Sequence, residues 1–286
     1  MATGVGILRA ALFLGLISGC AGPSVAVGSG YCAPPRRVPS ITPEEMPPKG
    51  SSREEFTAAL IGLRSELHED VHDDKSRLLA LERVQVARLA IDATAAELDC
   101  EAKRAGQAAD LLAHHQQNTV QVLTIASIAA ATAAGLGSVF AATTNSSAWT
   151  QNGVSIGGAA VTAGFGVASL YVRPTIRFEH PDNLLTDILR GPAQSASYPP
   201  VVWGYLTTPE FSNDQLDAIR TKLLQRWRHY QRMEADPGTI ALLFGRGGDY
   251  DLDTLRVRAA MLEQVRSEVL LAEQEITVLV ARLRER

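Results

Sequence analysis

Between His115 and Arg173 the chain has no Asp, Glu, Lys, Arg or His. A helix on the surface of a water-soluble domain carries charge on its outer face, so this stretch is built to be shielded from water. Proline is missing from Glu54 to Asn118, which removes the residue that most strongly interrupts a helix. Cysteine is scarce, with 3 in 286 residues, too few for a disulfide-dense scaffold. There is no basic excess either, the formal net charge being -4, so a polyanion has no positive surface to steer it. Nucleic acid is not an expected partner.

The chain opens MATGVGILRAALFLGLISGC. One basic residue, Arg9, precedes an apolar run from Ala10 to Ile17, and small residues stand directly before Cys20, which is the layout of a secretory signal. Ile17-Ser18-Gly19-Cys20 resembles the lipobox of bacterial lipoproteins. The resemblance covers the first twenty or so residues and implies cleavage after Gly19, acylation of Cys20 and attachment to a bilayer. An ordinary signal with an incidental cysteine is the alternative. In such lipoproteins Asp after the cysteine favours the inner membrane; Ala21 stands here, so the resemblance implies the outer membrane, facing the periplasm. Residues 1–19 are then the signal peptide and 20–53, crowded with Pro, Gly and Ser, a lipidated flexible tether. An exported chain meets an oxidising compartment, where Cys32 and Cys100 form an intramolecular disulfide or stay as unpaired or intermolecular thiols.

From Glu54 to Asn118 apolar residues recur at helical spacing. Ile91, Ala95, Leu98, Ala102, Ala105, Ala109 and Leu112 alternate steps of four and three, a coiled-coil-like stripe. Gly62 and Gly106 are read as tolerable within one long amphipathic helix over 54–118. Residues 173–210 read as a Pro-rich connector around a short helix from Asp182 to Arg190. Two amphipathic helices over 211–286 complete the set. The first has Ser212 or Asn213 as a cap, Leu216, Ile219, Leu223, Trp227 and Tyr230 on one face, and Pro237-Gly238 as a stop; the second has Asp251 or Asp253 as a cap. The expected fold is all-α, an antiparallel long-helix bundle or coiled coil.

The uncharged region, 119–172, reads as a hydrophobic Ala/Gly-rich helical hairpin with TTNSSAWTQN at its tip. Its arms, about 24 and about 20 residues, approach the thickness of a bilayer core. Ala126, Ala130, Ala134 and Ser138 in the first arm, and Ala160, Gly164 and Ala168 in the second, repeat every fourth position, which lets helices meet backbone to backbone. Insertion as transmembrane helices and burial in a homo-oligomer or against an envelope partner both satisfy the pattern. In layout, though in no motif, the chain is similar to α-helical pore-forming toxins, which implies membrane perturbation as an alternative role.

Chemistry has few candidates. His68-Glu69-Asp70-Val71-His72 fits HExxH, with both histidines on one helical face for zinc and Glu69 as base. The surrounding Asp70, Asp73, Asp74 and Lys75 suit a solvated acidic surface better than a hydrolase site. GRGGDYD at 245–251 lacks the Lys and hydroxyl of a phosphate loop and reads as a turn. His180 has no recognisable nucleophile beside it. The expectation is a non-enzymatic lipoprotein of the cell envelope, with no cofactor, acting in structure or assembly.

Overall fold

The computed structural model describes residues 32, 41–65, 74–143, 174–231 and 236–285. Ser52 caps helix α1 (Arg53–Leu60), its hydroxyl accepting the Glu55 N–H, with Glu54 and Glu55 placed favourably in the first turn. Gly62 ends this element. Its φ of +70° is left-handed, and a Cβ there would stand 2.8 Å from Arg83 Nη1. The single helix expected over 54–118 is thus corrected: glycine in this conformation turns the chain away from the helix axis.

Helix α2 (Asp74–Thr143) has 70 residues and extends roughly 105 Å at 1.5 Å per residue. It crosses the expected boundary at 118/119 without a break, so the first arm of the uncharged region is a continuation of the long helix. Strand β1 (Ile176–Glu179), helix α3 (Leu184–Arg190), helix α4 (Pro200–Thr207), a 3-10 turn at Pro209–Phe211, helix α5 (Ile219–Gln231), helix α6 (Pro237–Phe244), strand β2 (Gly247–Tyr250) and helix α7 (Leu252–Arg284) follow. The molecule is predominantly helical, but not all-α. β1 and β2 pair antiparallel, Ile176 opposite Tyr250 and Glu179 opposite Gly247. IRFE alternates, with Ile176 and Phe178 buried and Arg177 and Glu179 exposed, the period of a strand. The GRGGDYD segment supplies the partner strand, because Gly247 at φ +105° lets β1 approach where a Cβ would lie 2.3 Å from the Phe178 carbonyl oxygen.

α7 begins with a reciprocal cap between Asp251 and Thr254 and lies along α2. Arg266 pairs with Asp99 at 3.5 Å, and Asp92 raises the pKa of Glu273 after burial, so the two helices run antiparallel. Between them are buried Val84, Ala87, Ile91, Leu98, Ala102 and Ala105 from α2 and Leu255, Leu262, Val265, Val269 and Ile276 from α7. Alanines on α2 bring the axes close, and the branched residues of α7 fill the space.

Two further expectations are corrected. α5 begins at Ile219, not at Ser212 or Asn213, and leaves Leu216 81% exposed and Tyr230 76% exposed; only Ile219, Leu223 and Trp227 of the proposed face are buried. Pro237-Gly238 does not stop a helix but starts one: Asp236 accepts the N–H groups of Gly238 and Thr239, and Pro237 takes the first helical position. The small elements α1 and α3 to α6 pack along α7, with Leu243 at Arg258, Trp227 at Gln264 and Arg53 at Glu275. Arg53 ties them together, donating to Glu275 at 3.0 Å and to the Ser212 carbonyl at 2.7 Å.

Candidate functional site

Two places concentrate what packing alone does not require. The first is a charged cluster in the core. Arg104 of α2 and Arg258 of α7 are each 1% exposed. Arg104 donates to Glu101 at 2.8 Å, and its guanidinium carbon lies 4.1 Å from the Phe178 ring centre, a cation on an aromatic face. Arg258 Nη1 donates to the Leu243 carbonyl at 2.8 Å and to Asn183 Oδ1 at 3.2 Å. Arg104 Nε and Nη1, Arg258 Nε and His180 Nδ1 are buried without a hydrogen-bond partner.

His180 follows β1 and faces Tyr250 of β2. The Tyr250 hydroxyl donates to the Leu242 carbonyl at 2.7 Å, so it accepts from His180 Nε2, also 2.7 Å away; this fixes the Nε2–H tautomer. Burial first, then the charge of Arg258, pull the His180 pKa down to about 3, and the imidazole stays neutral. Burial lowers Arg258 to about 10 and raises Tyr250 to about 12. Glu97, on the same helix as Arg104, is raised to about 7 by burial, then by Glu101 and Asp182. Among the described residues no Ser or Cys is hydrogen-bonded to His180 or Tyr250, so this pair has no nucleophile beside it there. This cluster orients β1, β2 and the start of α7 against α2. Among the described residues no group of His, Cys, Asp or Glu is placed to hold a metal ion.

The second place is the far half of α2. Extending the Asp99–Arg266 level along both helices sets Leu252, the first residue of α7, beside Ala113. Beyond it α2 runs on for roughly 45 Å. On one side the buried stripe of Ala109 and Leu112 continues through Gln116, Val120, Leu123, Ala126 and Ser127, which are half-buried. On the other Val122, Ile125 and Ile128 are 65%, 60% and 61% exposed. Thr119, Thr124 and Thr132 return their hydroxyls to the carbonyl four residues back, which hides polar groups on a helix with no charge to show. The expected transmembrane helix is not found: among the described residues none is long and apolar enough to cross a membrane.

Of the residues singled out in the sequence, Cys32 and Cys100 are joined as a disulfide, 68 residues apart, which fastens the N-terminal segment to the middle of α2. Ala126 lies on the half-buried stripe. Ala130, Ala134 and Ser138 lie on the α2 backbone, whereas Cys20, His68, His72, Ala160, Gly164 and Ala168 lie outside the described residues. The charged cluster was missed, because Arg104 and Arg258 sit at stripe spacing and look like solvated residues in a one-dimensional reading. No family model, curated protein or solved structure matches the chain.

Proposed function

We propose that the chain is a non-enzymatic lipoprotein of the bacterial envelope, held by an acylated Cys20 to the outer membrane and acting in structure or assembly through its long helix. The observation that carries this reading is the uncharged continuation of α2 past the end of its partner helix, with apolar residues on two sides. A rod of this kind suits a protein that positions or joins others.

The return of the chain supports the finer architecture, a bundle or coiled coil extended by a hairpin. Phe178 stacks on Arg104, which places the described chain on either side of the second uncharged run at opposite ends of this half of α2; residues 153–172, the proposed second arm, lie outside the described residues.

Radiolabelled palmitate fed to expressing cells is expected to enter the wild-type protein and not Cys20→Ser, and urea washing is expected to release only the variant from membranes. Equal release of both defeats the anchor. Dye escape from vesicles on addition of the protein would favour the toxin-like layout instead.

A further inference from the structure

We infer that the Cys32–Cys100 bridge sets how far the long helix reaches from the membrane, and that a dithiol which opens it lengthens that reach. The inference rests on the reading of Cys20 as the lipid anchor. A pull from Cys20 meets the body at the first residue that is held, and the bridge makes that residue Cys32, fastened to Cys100 of α2. Whatever its conformation, the chain from Cys20 to Cys32 spans at most about 43 Å. The rod then hangs from near its middle, with roughly 39 Å of α2 on the Asp74 side of Cys100 and roughly 65 Å on the Thr143 side.

With the bridge open the load passes to the next holdfast. Ile41 packs against the core, the Glu44 N–H donates to the Ala59 carbonyl at 2.8 Å, and the Glu44 carboxylate pairs with Arg83 at 3.7 Å. From Cys20 to Ile41 the chain spans at most about 76 Å. The point of attachment also moves roughly 26 Å along α2, from the level of Cys100 to that of Arg83. The Thr143 end gains both lengths, and its farthest distance from the bilayer rises from roughly 110 Å to roughly 165 Å.

Two features let the bridge open while the body stays folded. Cys32 and Cys100 are both half-buried, within reach of a thiol in solution. The apolar contact between α2 and α7 runs past Cys100 on both sides, through Ile91 and Leu98 before it and Ala102 and Ala105 after it. Opening is an exchange of two electrons: the S–S bond breaks, a dithiol supplies two electrons and two protons and closes to its own disulfide, and Cys32 and Cys100 are left as thiols.

The test uses the full-length acylated protein held on a supported bilayer, with neutron reflectometry reading the outer edge of the protein layer. On adding dithiothreitol that edge is expected to move outward by more than about 10 Å, from the longer tether and the shifted attachment together. Cys32→Ser with Cys100→Ser is expected to start at the outer position and not to respond. An edge that stands still while alkylation shows both thiols free overturns the inference. So does a bridge that dithiothreitol leaves intact in the folded protein, or a body that loses its helical circular dichroism on opening. Failure of the anchor reads differently, since wild type then takes up no palmitate and forms no more of a layer than Cys20→Ser; that result defeats both readings, whereas an acylated layer of fixed thickness defeats this one alone.

Discussion

The two core arginines look alike by burial but differ in what depends on them. Arg104 holds the carboxylate of Glu101, which is largely shielded from water, and its removal strands that charge. Arg258 makes no ion pair among the described residues, although the Tyr250 hydroxyl and the charge of Glu101 favour its cation, and two of its acceptors have other donors: Asn183 Oδ1 receives the Leu185 N–H and Leu243 oxygen receives Asn183 Nδ2. Arg104→Met is therefore expected to destabilise by about 2–3 kcal/mol. Arg258→Met is expected to fall within about 1 kcal/mol of wild type or to stabilise, since it also removes a buried like charge. Urea unfolding of the two variants measures the difference.

Glu97 and His180 give stability opposite dependences on pH. The folded pKa of Glu97, about 7, lies above its ordinary 4.5, so the native state keeps a proton that the unfolded chain releases. Its contribution is complete below the lower value and is lost as pH rises through the upper one. The folded pKa of His180, about 3, lies below its ordinary 6.5. Its contribution is present above the ordinary value and is lost as pH falls toward the folded one. Glu97→Gln is expected to gain on wild type steadily between pH values of about 5 and 8, measured by chemical denaturation. Parallel profiles across that range would show that Glu97 ionises normally.

At the scale of elements, what was legible in the chain were the long stripes. Ile91 to Leu112 and Leu255 to Leu279 announce their buried faces because a three-four repeat sustained over several turns keeps apolar side chains on one side of a helix and nowhere else. Shorter pieces were not legible. IRFE is four residues long and its pairing partner lies some seventy positions away in glycine-rich sequence, so no local pattern marks either strand. Pro237 after a helical stretch reads equally as an end or a beginning, and the Asp236 cap decides only when the fold is present. Gly62 resembles Gly106 in sequence, yet one turns left-handed against Arg83 and the other sits in open helix with nothing near. Gly62→Ala is expected to cost about 1–2 kcal/mol and Gly106→Ala to stabilise by up to about 1 kcal/mol; thermal melts of the pair compare them directly.

Over the whole molecule, the Cys32–Cys100 bridge is the longest covalent constraint among the described residues. It closes a loop of 68 residues, and in the chain-entropy account it stabilises by about 4 kcal/mol. Cys32→Ser with Cys100→Ser is expected to lower the denaturation midpoint accordingly while leaving the α2–α7 pair in place, read by unchanged helical circular dichroism before the transition. The candidate site was legible here only as an absence of charge; its position relative to α7 was not, because the end of one helix against the flank of another depends on register between segments far apart.

Among the described residues α2 is gripped by α7 along one half and has no neighbouring element along the other, which is the geometry of a cantilever. Rocking the gripped part of α2 by about five degrees within its socket would sweep the free end through roughly 4 Å over its 45 Å overhang. Small rearrangements around Arg104 would thus arrive at the far end as displacements the size of a side chain.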